Sequence, residues 1–180
     1  HINTKVFKNL EIKKLLEFKN FFKQINIKKK INYSSKKFNQ NLIDKLDLKI
    51  DLAYGRLNYF KKISISDNLF LCFGNINLLE EFPLIFFDCS IKSKSKQDLL
   101  KKFNINEKKI IKNFNLSING NINILNDKIN FKKIIINESY KASKEDLKYF
   151  EGKFEEIMFD ESFLKIFNLK KIKKFILEIS

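Results

Sequence analysis

Histidine occurs only once, as His1, and that scarcity removes much chemistry. Ser-His-Asp and Cys-His catalytic arrangements both need an internal imidazole. The two cysteines, Cys72 and Cys89, are too few for a zinc site with so few other ligands. The four glycines stand apart from one another, so neither GxGxxG nor a P-loop can be written. No calcium loop of the D-x-D-x-D-G type occurs. Apolar runs stay well short of the roughly 18–20 residues of a membrane-spanning helix. The sequence therefore reads as non-enzymatic, with no catalytic residues, no metal and no cofactor.

Arginine is equally scarce. Of 36 basic residues, all but Arg56 are lysine, set against 21 acidic residues for a net charge of +15. One reading is a polyanionic partner, either nucleic acid or an anionic membrane surface. The other is composition bias. Lysine, asparagine, isoleucine and phenylalanine abound, tryptophan is absent, and proline and glycine are rare. That profile is expected of an AT-rich genome. Arginine is the side chain that reads guanine and clamps phosphate bidentately, so its near absence favours bias and argues against specific nucleic-acid contacts. At 44% hydrophobic, with 20 phenylalanines, the chain is too apolar for a disordered tail and long enough for one good core or two small ones. It begins at His1, and Met158 is its only methionine, so it reads as a fragment of a longer protein or a processed chain.

Residues 7–24 place Leu10, Leu15, Leu16, Phe18 and Phe22 near helical spacing, which predicts an amphipathic helix packed on a sheet in preference to one lying on a membrane surface. Residues 25–41 are polar and lysine-rich and read as an irregular connection. From residue 46 the period becomes two: Leu46, Leu48, Ile50 and Leu52 alternate with charged residues, as in a half-buried strand. Tyr54-Gly55 predicts a bulge or tight turn. Residues 69–73, LFLCF, suit a central strand, and Leu84 to Ile91 another. Ser95 to Phe103 predicts a short capped helix. Residues 114–124 share one apolar parity, Asn126-Asp127 is turn-forming, and Ile129 to Ile136 returns. Ser143 opens the next helix, Phe154 to Phe167 is helical in pattern, and Lys173 to Ser180 reads as a strand. The carboxylates Glu155, Glu156, Asp160 and Glu161 read as a solvated helix face offsetting nearby lysines. Cys72 and Cys89 read as buried free thiols in preference to a disulfide between neighbouring strands.

The tetrapeptide GNIN occurs twice, at Gly74-Asn75-Ile76-Asn77 and at Gly120-Asn121-Ile122-Asn123, an offset of 46 residues. SKQDL at 95–99 recurs as SKEDL at 143–147, an offset of 48. Two collinear matches at nearly equal offsets mark one repeated unit of strand, turn, strand and capped helix. A looser element recurs at Ile25-Asn26-Ile27, Phe103-Asn104-Ile105 and Phe167-Asn168-Leu169, each followed by paired lysines. The apolar parity switches around Gly74 and runs straight through Gly120. Gly74 is therefore expected to break a strand, and Gly120 to lie within one or at a bend.

These features predict an α+β, β-rich fold, an antiparallel twisted or curled sheet built from repeated strand–turn–strand–helix units with helices at one side or edge. Residues 1–45 form the helix and connection. Residues 46–150 form the repeat region, with units at about 74–103 and 120–150, and 151–180 continue the same domain.

Three stretches, LDLKIDLAYGRLNYFKKISIS (46–66), FGNINLLEEFPLIFFDCSIKSKSKQDLLKKFNI (73–105) and INGNINILNDKINFKKIIINESYKASKEDLKYF (118–150), resemble the repeat-bearing part of AsmA-like proteins, particularly those of AT-rich alphaproteobacteria. The resemblance implies a long antiparallel sheet curled into an apolar groove, related to bridge-like lipid transfer proteins and to outer-membrane biogenesis. It implies a periplasmic location, an inner-membrane anchor missing from this chain, and phospholipid or another acyl-chain lipid as ligand. Neighbouring repeats of the full-length protein are the implied protein partners, and no specific nucleic acid is expected. The groove candidates are Leu69, Leu71, Phe73, Leu116, Ile118, Ile122 and Ile124, which lie on apolar parities suited to solvating acyl chains. An ordinary core beneath helices, a structural repeat scaffold and a basic nucleic-acid-binding module are the alternatives.

Overall fold

Alternation of apolar and polar residues carries long stretches of the chain into extended structure, and short polar turns fold it back on itself. The computed structural model describes residues 19–34, 43–65, 68–95, 97, 101 and 112–158. Eight strands run in chain order across one antiparallel sheet: β1 (Asn26–Ser34), β2 (Lys45–Ala53), β3 (Arg56–Ile65), β4 (Asn68–Asn77), β5 (Leu84–Ser95), β6 (Lys112–Asn123), β7 (Lys128–Ile136) and β8 (Tyr140–Lys141). The sheet curls without closing. Among the described residues two helices are delimited, α1 (Lys19–Phe22) and α2 (Lys144–Met158). The expected β-rich α+β class is the one observed.

Each turn has a local cause. Tyr54 and Gly55 both adopt positive φ, at 49° and 80°, as a two-residue type I′ hairpin loop requires. Asp127 takes φ 53° in the β6–β7 turn, and Asn137 and Glu138 take 51° and 61° between β7 and β8. The side chain of Asn137 accepts from the Asn115 N–H at 2.8 Å while its own N–H donates to the Asn115 carbonyl at 2.8 Å, tying the end of β7 to β6. Ahead of α2, Ser143 and Asp146 form a reciprocal capping box. The Asp146 N–H donates to Ser143 Oγ at 3.2 Å, and the Ser143 N–H to Asp146 Oδ2 at 2.9 Å.

Three expectations change. Residues 26–34 are a strand, where an irregular connection was expected. The isoleucines 25, 27 and 31 keep period two among the lysines, and lysine is a residue that edge strands favour. Gly74 does not break β4. That strand is apolar on both faces, so the apparent parity switch is only a change in which face carries the larger residue. The helical pattern from Phe154 belongs to α2, which runs unbroken from Lys144 to Met158. Most of the expected helices at 7–24 and 95–103, the helical pattern past 158, the strand at 173–180 and the later two copies of the looser element lie outside the described residues.

The core lies against one face of the sheet. Ile65, Ile76, Phe114, Leu116, Ile122, Ile129, Phe131 and Ile134 point into it from the strands, joined by Phe22 of α1 and Phe150 of α2. On α2 the apolar stripe Leu147, Phe150, Phe154 and Ile157 follows helical spacing and packs on this cluster.

Candidate functional site

Directly opposed residues in an antiparallel pair project from the same face, so the strand registers sort every side chain onto one of two surfaces. The inner, core-facing surface is built of cross-strand rows. One row reads Leu46, Ile63, Phe70, Ile91, Leu116 and Ile136 across β2–β7. A second reads Ile27, Leu52, Leu57 and Ile76. A third runs Ile31, Leu48, Lys61, Cys72, Cys89, Ile118 and Ile134.

The fourth row passes through both glycines of the GNIN repeat: Tyr59, Gly74, Phe87, Gly120 and Phe131. Aromatic residues and glycines alternate along it. A β-carbon at Gly74 would collide with the Phe86 carbonyl oxygen and with the ring and hydroxyl of Tyr59. A β-carbon at Gly120 would meet the Asn130 carbonyl oxygen and Phe87 Cζ. Each glycine thus lets a neighbouring ring lie down over bare backbone. Phe87 then meets Phe131 edge to face at 6.1 Å, and Phe131 meets Phe154 of α2 at 5.8 Å. The repeated tetrapeptide ends in the same device in both copies. Asn77 Oδ1 accepts from the Leu79 N–H at 3.2 Å, and Asn123 Oδ1 from the Leu125 N–H at 3.0 Å.

The inner surface is sealed at one end and more open at the other. Over β6 and β7, Leu116 and Ile124 are 2% and 1% exposed. Over β1, Ile27 and Ile31 are 42% and 47% exposed, and the inward residues of β2 are only half-buried. The ammonium groups of Lys61 within β3 and Lys29 on β1 and the phenol of Tyr59 interrupt this more open end. Burial lowers the Lys61 pKa and pushes that of Tyr59 up to about 12. Cys72 and Cys89 face each other between β4 and β5 and form a disulfide, where free thiols were expected. The pairing depends on register, which puts the two residues directly opposite each other.

The structure divides the seven groove candidates. Leu116, Ile118, Ile122 and Ile124 line the inner surface, and all but Ile118 are buried in the core. Leu69, Leu71 and Phe73 lie on the outer surface, opposite Lys92, Ser90 and Asp88. The two groups share no face. Since β4 is apolar on both sides, its sequence alone does not say which side turns inward.

The carboxylates of α2 also do something the sequence does not announce. Glu151 Oε1 accepts from the Phe131 N–H at 2.8 Å, and Glu155 Oε1 from the Ile129 N–H at 3.1 Å, while Glu155 Oε2 holds Lys128 Nζ at 2.6 Å. These N–H groups belong to the edge of β7 beyond the reach of the two-residue β8. Glu151 and Glu155, one helical turn apart, satisfy a sheet edge. Glu155 is thus only partly the solvated, lysine-offsetting residue expected of it. Glu156 does pair with Lys153 at 3.0 Å on the exposed side. Asp160 and Glu161 lie outside the described residues.

Among the described residues no helix is long and apolar enough to cross a membrane, and no group of three or more His, Cys, Asp or Glu gathers as a metal site. No protein-family model, curated protein or solved structure matches the chain.

Proposed function

We propose that this chain is a non-enzymatic segment of an AsmA-like periplasmic protein, and that it binds or conducts lipid along an apolar β-groove in outer-membrane lipid transport or assembly. The observation that carries this reading is the inner surface. Its rows are apolar at nearly every place, and they run along a meander whose strands never leave chain order. Such a sheet can be lengthened strand by strand without changing its cross-section, which suits a conduit joined to neighbouring repeats. An acyl chain laid on it gains roughly 0.8 kcal/mol per buried methylene.

The lipid-facing stretch in this reading is the inner surface of β1–β3, where Leu48, Ile50 and Leu57 are half-buried and Ile27 and Ile31 are exposed. Lys29 stands among these apolar residues and supplies a cationic partner for an acidic headgroup. The disulfide between Cys72 and Cys89 suits an oxidising compartment such as the periplasm. Attachment to the inner membrane is assigned to an anchor outside this chain. A scaffold that uses the inner surface only as core is the second reading, favoured by the burial of Leu116, Ile122 and Ile124 near α2.

Native mass spectrometry and lipid extraction of the purified chain separate the two. Bound phospholipid or fatty acid is expected, together with fluorescent fatty-acid binding that changes little with salt. Leu48→Asp should weaken that binding at least tenfold while leaving the circular dichroism spectrum unchanged. A protein that carries no lipid and binds no fatty acid is a scaffold.

A further inference from the structure

The outer surface of the sheet has a composition of its own. Its centre is apolar and aromatic: Phe60 and Phe73 lie directly opposite on β3 and β4, Leu71 and Leu69 continue along β4, and Phe86 lies diagonally across on β5. Phe73 is 53% exposed and Phe86 38% exposed. Lysines flank this centre on both sides. Lys49 Nζ sits 5.7 Å from the Phe60 ring centroid on the β2 side, and Lys132 Nζ 5.6 Å from the Phe86 ring centroid on the β7 side. A shallow hollow of about 290 Å³ beside the patch is lined by Leu69, Lys92 and Asn115 among others. Carboxylates are few on this side. Asp88 stands opposite Phe73, Asp47 lies on β2, and Asp51 faces Lys28 at 3.9 Å.

We propose that this outer surface docks on an anionic phospholipid bilayer, with Phe73 and Phe86 entering the interface and the flanking lysines at the level of the lipid phosphates. Exposed rings and leucines at the centre of a lysine rim match the layered chemistry of a membrane surface, apolar beneath and anionic above. A net charge of +15 supplies the long-range attraction. Single-stranded nucleic acid, the other polyanion, fits less well. Base stacking needs open ring faces. Here the rings of Phe60 and Phe86 already carry lysine ammonium groups, and the neighbouring Leu69 and Leu71 offer nothing to stack on. This assignment uses the face opposite the proposed groove and does not depend on the groove carrying lipid.

Co-sedimentation of the full chain with vesicles tests it. The chain is expected to bind vesicles of equal parts phosphatidylglycerol and phosphatidylcholine and to leave pure phosphatidylcholine vesicles in solution. Phe73→Ser with Phe86→Ser should weaken binding at least tenfold, and Lys132→Gln and Lys92→Gln about fivefold each. Asp88→Asn should strengthen it. All five positions lie at the surface or in half-exposed sites, and an unchanged thermal melt confirms that folding is intact. Leu48→Asp, which tests the groove, should leave vesicle binding unchanged. The proposal is overturned by failure to bind the anionic vesicles, by binding indifferent to the phenylalanine and lysine changes, or by tighter binding to a single-stranded oligonucleotide than to the vesicles.

Discussion

The two hairpins that contain GNIN, β4–β5 and β6–β7, share a backbone design and differ in how they are reinforced. In each, the glycine lies beneath a ring from the preceding strand and opposite a phenylalanine on the following one, and in each the last asparagine closes the same turn. The first hairpin is cross-linked by Cys72–Cys89 and keeps a straight register through Gly74. The second has no cross-link. Its register shifts between Asn119 and Gly120, and α2 braces its outer edge through Glu151, Glu155 and the ring of Phe154. A short motif therefore fixes a local device, a bare strip of backbone roofed by an aromatic ring. What holds the device in place is set by residues elsewhere in the chain.

The largest effect expected from breaking this comparison falls on the cross-linked hairpin. The disulfide closes a loop with a sequence separation of 17 residues. Loss of a link of that span costs about 3 kcal/mol. The double variant Cys72→Ser with Cys89→Ser should lower stability in urea by about that amount. Hydrogen exchange should speed up in β4 and β5 while β6 and β7, held by α2, keep most of their protection. Equal acceleration in both hairpins would show that they do not have separate reinforcements.

A smaller effect tests what they share. Gly74→Ala and Gly120→Ala each force a methyl group against a backbone carbonyl, which cannot rotate away as a side chain can. Each should cost about 2 kcal/mol in chemical denaturation. The prediction is near equality. If Gly74→Ala is tolerated while Gly120→Ala is not, the two copies are alike in sequence only.

The local devices were legible in the sequence because each depends on neighbours a few residues apart. The alternation of Leu46 to Leu52 gives β2, Tyr54-Gly55 and Asn126-Asp127 give turns, and Ser143 with Asp146 gives the cap of α2. Whatever depends on register was not legible. The alternation of β4 defines two faces but does not say which is inner, so Leu69, Leu71 and Phe73 were grouped with residues on the other side of the sheet. The disulfide and the glycine–aromatic row are register facts of the same kind. The edge-capping glutamates had a faint signal in their spacing of four. Composition hid it, because glutamate among lysines also describes any solvated helix.

The smallest predicted effect exploits the one chemical difference between the two roofed glycines. Gly74 is roofed by Tyr59, which can ionise, and Gly120 by Phe87, which cannot. Burial raises the Tyr59 pKa from 10.0 to about 12, because the phenolate is disfavoured where water is excluded. The folded protein therefore holds this proton more tightly than the unfolded chain does. The stability linked to it is fully present below pH 10 and is lost as the pH rises through about 12. Lys61 on the same face has its pKa lowered by burial, which contributes with the opposite sign. That contribution is common to the natural chain and to Tyr59→Phe, so the difference between the two proteins isolates the tyrosine. The natural chain should lose stability faster than Tyr59→Phe across that interval, measured by urea denaturation at stepped pH. The loss should appear in the hydrogen exchange of β3 and β4 before it appears in β6 and β7. Parallel pH profiles for the two proteins would mean that the Tyr59 hydroxyl reaches water in the folded state and that the roof over Gly74 is looser than the one over Gly120.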